Sequence, residues 1–97
     1  MREITEQKIQ KYLSVTEEAI GKVKIGPEIS FDWKEKAHDF LDMAQRYLSD
    51  ARYFFEKGDH VNAFAAVNYS HGWLDAGARL GLFDVGGDSK LFTVDGS

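Results

Sequence analysis

The stretch AHDFLDMAQRYLSDARYFFEKGDH, residues 37–60, decides the fold. Ala37, Leu41, Ala44, Leu48, Ala51 and Phe55 step by alternating four and three, which places them on one face of a helix. Phe40, Tyr47 and Phe54 flank that stripe at intervals of seven. The other face carries His38, Asp39, Asp42, Gln45, Arg46, Ser49, Asp50 and Glu56, so the helix is amphipathic and has one side to bury. Asp32 with Glu35 three residues on forms a capping box at its start, and Ser30 is the alternative cap. Gly58 ends it through its left-handed freedom, and Asp59 caps the next helix at once. A link this short makes the predicted helix 32–57 and its successor an antiparallel hairpin.

The successor, predicted over 60–82, has a different pattern. From His60 to Phe83 the only formal charges are Asp75 and Arg79. Phe64, Val67, His71, Leu74, Ala78 and Leu82 form one apolar arc, and Tyr69, Trp73 and Leu80 form a second on roughly the opposite side. A helix apolar on two sides calls for cover on both. Upstream, Ile9, Leu13, Thr16, Ile20 and Val23 follow helical spacing and predict a first helix over 3–23. Gly26-Pro27 breaks the chain between it and the hairpin. Downstream, a tail over 84–97 contains Leu91-Phe-Thr-Val94, too apolar for water, which is expected to pack back on the bundle or to dock on a partner. The expected architecture is all-α, an up-and-down three-helix bundle formed by one domain over 1–97.

Composition narrows the function. Ninety-seven residues, 43% hydrophobic and 29% charged, suit one ordinary core. The absence of cysteine excludes disulfides, thiolate metal sites and thiol nucleophiles. The N-terminus is charged and has no signal-type apolar run, and no apolar stretch reaches membrane-spanning length, so a cytoplasmic location is expected. A net charge of −4, with five Asp against Arg79 and Lys90 in residues 59–97, argues against nucleic acid.

The chemistry-bearing candidates lie along one edge of the third helix. Asn68, His71, Asp75 and Arg79 are spaced by three, four and four, so they can line one side. A carboxylate that fixes an imidazole beside an arginine suits anion binding or a general base, with Tyr47 or Asp50 facing it from the second helix. The structural alternative is a polar seam in which these groups satisfy one another where helices meet. Glu35-Lys-Ala-His38 matches the Glu-x-x-His element of di-iron bundles, but the corresponding Asn68-Tyr-Ser-His71 has an amide where a carboxylate is needed. No metal and no cofactor are therefore expected. Gly77-Ala-Arg-Leu-Gly81 has the small-residue spacing of close helix packing.

The run from Gly58 to Phe83, with Tyr47-Leu-Ser-Asp-Ala51, Tyr53-Phe54, Leu91-Phe-Thr-Val-Asp95, Lys11-Tyr-Leu and Thr16-Glu, resembles the family catalogued as domain of unknown function 357. The resemblance implies an archaeal, cytoplasmic three-helix bundle and carries no catalytic residues over. More loosely the chain is similar to helical bundles of the HEPN type. The ribonucleases of that type use an Arg with a His five positions on, and here Arg46 leads to Ala51 and Arg52 to Lys57. The leading expectation is a non-enzymatic interaction module that meets a protein partner or a second copy through Tyr69, Trp73, Leu80, Leu91 and Phe92. The alternative is a small-molecule or nucleotide site at Asn68, His71, Asp75 and Arg79.

Overall fold

Each helix begins where the sequence supplies a side-chain oxygen for the orphaned N–H groups of its first turn. Thr5 accepts from Lys8 N, Ser30 from Trp33 N and Asp59 from Asn62 N. The computed structural model describes residues 5–27 and 29–86. It contains α1 (Glu6–Lys22), β1 (Lys24–Ile25), α2 (Phe31–Glu56), α3 (His60–Arg79) and β2 (Phe83–Asp84). Of the two caps offered for α2, Ser30 is the one used, so Asp32 lies inside the first turn, where its charge favours the helix N-terminus.

Two helices end in the same way. Gly58 (φ +77°) sends its N–H to Phe55 O while Asp59 N bonds Phe54 O, and Gly81 (φ +77°) repeats the pattern with Ala78 O and Leu82 N to Gly77 O. These are paired Schellman closures, which need a residue at positive φ just past the helix. The predicted third helix ran to Leu82, whereas α3 stops at Arg79. Apolar periodicity continues through Leu80 and Leu82, but Gly81 turns the chain, and Leu82 is buried from the returning segment rather than from the helix.

That return builds a feature absent from the sequence reading. β2 pairs antiparallel with β1, Lys24 opposite Asp84 and Ile25 opposite Phe83, and Gly26 N adds a bond to Leu82 O at 2.9 Å. The ribbon fastens the α1–α2 connection to the exit of α3 and sets the Phe83 ring against Gly77. Residues 87–97, including Leu91 and Phe92, lie outside the described residues, as does the predicted start of the first helix at Glu3.

The α2–α3 pair is the most extensive contact in the molecule. Its register is fixed by Ser70 Oγ, fully buried, which donates to Ala44 O at 2.6 Å. Seven residues either way along antiparallel helices, Ala51 falls opposite Ala63 and Ala37 opposite Gly77, all of them buried. Among the described residues alanine supplies six of the thirteen buried hydrophobic positions, five of them on α2 and α3, so these two helices approach closely. α1 lies alongside, contributing Ile9, Leu13, Thr16 and Ala19 to the interior. One buried cluster gathers Ile9, Leu13, Leu48 and Val67 near the hairpin turn, and another gathers Ala19, Leu74, Leu82 and Phe83 near the ribbon.

Candidate functional site

α1 and α3 run in the same direction, because Tyr12 stacks on Phe64 at 5.2 Å and, further along both helices, Thr16 meets His71. Between them lies a groove of about 360 Å³. α1 lines it with Lys11, Tyr12, Val15 and Thr16, and α3 with Val67, Asn68, His71, Gly72 and Asp75. His71 occupies its centre. Its Nδ1 is 3.4 Å from Thr16 Oγ1 and its Nε2 is 3.5 Å from Asp75 Oδ1, so hydroxyl, imidazole and carboxylate stand in line. Thr16 is buried, while the His71 and Asp75 side chains each keep about a quarter of their surface exposed. With Nε2 protonated, the ring donates to Asp75 and accepts from the threonine hydroxyl; as the cation it donates to both.

Three of the four residues of the predicted edge, Asn68, His71 and Asp75, thus share one groove. Arg79, one turn beyond Asp75, is exposed and outside its lining. The wall facing them comes from α1, not from Tyr47 or Asp50 of α2. Thr16 was legible only as an apolar-face position, because nothing local in the sequence shows that a residue 55 positions away brings an imidazole to its hydroxyl. The candidate di-iron element is split from this site: Glu35 and His38 are both exposed on α2. Among the described residues no three His, Cys, Asp or Glu side chains converge as a metal site.

A second surface runs along the α2–α3 hairpin. Trp33 and Leu80 line one shallow groove with Ile29 and Leu82. Phe40 meets Trp73 edge-on at 4.9 Å, and Tyr47 meets Tyr69 at 5.4 Å. Trp33, Phe40 and Tyr47 are seven apart, so these three pairs form the rungs of one ladder, each rung taking a residue from either helix. Tyr69 and Leu80 are each 63% exposed and Trp33 is 54% exposed. Trp73 is half-buried against the core, so of the interface candidates within the described residues it is the one with a packing role. The shallow grooves along the ladder contain no residue of α1.

The fold and these surfaces define a small all-α protein whose antiparallel hairpin is flanked by one further helix. The model of the family described as Protein of unknown function (DUF357) matches residues 11–83, and the chain belongs to that family. The match begins at Lys11 and ends at Phe83, so it includes every residue lining the α1–α3 groove and the ring that packs on Gly77. No curated protein and no solved structure matches the chain. No helix among the described residues is long and apolar enough to cross a membrane.

Proposed function

We propose that the protein is a non-enzymatic interaction module of the archaeal cytoplasm, presenting the aromatic ladder of the α2–α3 hairpin to a protein partner or to a second copy of itself. The observation that carries this reading is the ladder's exposure: three apolar rungs stand in register on the hairpin, and Tyr69, Leu80 and Trp33 each keep more than half their surface in solvent. Aromatic side chains in a continuous strip make good anchors, since they bury much area with few torsions to freeze. The family resemblance supports the archaeal and cytoplasmic setting.

The test is light scattering of the purified chain together with affinity capture, using Tyr69→Asp and Leu80→Asp. Both side chains are mostly exposed, so the variants should keep the helical circular dichroism of the parent while losing association. Self-association or capture indifferent to both substitutions, or a parent that is monomeric and captures nothing, would sink the reading. A second reading, small-molecule binding at the polar edge of α3, is favoured by the groove around His71.

A further inference from the structure

Gly72 is in the middle of α3, where a glycine weakens a helix by roughly 0.5–1 kcal/mol relative to alanine. The fold gives no reason for it. A Cβ at Gly77 would strike Phe83 Cε2 at 2.2 Å, but a Cβ at Gly72 would meet nothing within 4 Å. Gly72 is exposed and lines the α1–α3 groove as a strip of bare backbone between Asn68 and Asp75, and it also borders the shallow groove of Tyr69 and Trp73. Bare helix backbone beside a cavity is the surface on which a flat ring can lie closely.

The polar groups around that strip are unevenly distributed. Because α1 and α3 are parallel, Lys11 stands at the Phe64 end of the groove and Asp75 at the far end, beyond His71. Lys8, one turn before Lys11 and outside the groove's lining, holds its ammonium 5.4 Å from the Phe64 ring centre. From Asn68 to Asp75 is seven residues, or about 10 Å along the helix. The groove therefore offers one cation, Lys11, at one end, an acceptor-only carboxylate at the other, and an apolar strip of Val15, Val67 and Gly72 between them.

We propose that this groove binds a nucleoside monophosphate whose base presents amino donors, guanine best of all. The proposal rests on the small-molecule reading of the site and names its ligand class. The phosphate lies toward Lys11, where a charge-assisted contact is strongest. The base lies on Gly72 and turns its adjacent ring N–H and exocyclic amino donors to Asp75, with the Asn68 amide at its side. A carboxylate accepts that donor pair as it accepts the fork of an arginine, and it repels the carbonyl-rich edge of uracil. Thr16 holds the His71 ring, and His71 in turn orients Asp75.

The experiment titrates the full 97-residue chain with guanosine monophosphate, adenosine monophosphate, uridine monophosphate and inorganic phosphate, following backbone amide resonances and heats of binding. Guanosine monophosphate is expected to shift resonances of residues 11–16 and 67–75 and to bind about ten-fold or more tighter than the uridine compound. Gly72→Leu fills open space without touching the core and improves helix propensity, so it should fold at least as well and bind none of the probes. Asp75→Asn should abolish the preference for guanine over uracil. Equal affinity for all three nucleotides, or for phosphate alone, overturns the ligand class while leaving a small-molecule groove. Shifts confined to residues outside the groove, or none with any probe, overturn both the class and the groove.

Discussion

A methyl group added at Gly77 would lie 2.2 Å from Phe83 Cε2 and 2.5 Å from Cδ2, whereas one added at Gly72 has open space. These two helical glycines should therefore respond oppositely to the same substitution. Gly77→Ala is expected to lower stability by about 1–3 kcal/mol through overpacking, and Phe83→Leu in the same chain should recover part of the loss. Gly72→Ala is expected to raise stability by about 0.4–1 kcal/mol by restricting the unfolded chain. Urea unfolding of the three variants measures both effects, and matching signs at the two glycines would contradict the packing described. Ser70 makes a similar case. Its hydroxyl reaches Ala44 O across the tightest part of the hairpin, so Ser70→Ala should cost about 1 kcal/mol and the bulkier Ser70→Val more. The sequence marked Gly77 and Gly81 alike as small packing residues. Gly77 is one, and the group nearest to it is the Phe83 ring. Gly81 is a helix terminator, and that role is set by its φ, which a small-residue spacing does not reveal.

At the scale of elements, the helix ends test how local signals compete. Ser30 caps α2 and Asp32 only flavours its first turn, so Ser30→Ala should cost about 1 kcal/mol and Asp32→Ala a few tenths. The reverse order in thermal unfolding would restore Asp32 as the cap. Helix existence and order were legible throughout, because the four-three stepping of α2 and the Gly58-Asp59 junction act over a few residues. The end of α3 and the β1–β2 ribbon were not legible. Two residues per strand carry no periodicity, and their pairing joins Lys24 to Asp84, sixty positions apart. The candidate site divides along the same line: Asn68, His71 and Asp75 share a helix face and were visible from spacing, while Lys11, Tyr12 and Thr16 come to them only through packing.

Across the whole molecule, the hairpin is the better-anchored unit and α1 the looser one. α2 and α3 meet along their full length through small residues, while α1 adds a single line of buried side chains and an exposed ion pair from Glu17 to Arg52. Hydrogen exchange should therefore show α1 amides opening at lower free energy than those of residues 44–51 and 63–74. Uniform protection across all three helices would mean that α1 is integral to one cooperative unit. Arg52→Ala should change stability by less than about 1 kcal/mol, since both partners are substantially exposed. Loosening of α1 would also open the groove, whose one wall it forms, and leave the aromatic ladder untouched.

By itself the sequence determined that this chain makes three helices, where the hairpin turns, which face of α2 goes inside and which edge of α3 is polar. Those are consequences of short-range stepping and of glycine, proline and capping residues, all of which act within a turn or two. Only the tertiary structure decided what each face meets. It set Thr16 against His71, laid Phe83 on Gly77, brought Phe40 to Trp73 and Tyr47 to Tyr69, put Trp33 and Leu80 in one groove, and left Arg79 outside the α1–α3 groove. These pairings depend on the register and approach of helices far apart in the chain, which the burial of alanine and the Ser70–Ala44 bond fix in three dimensions.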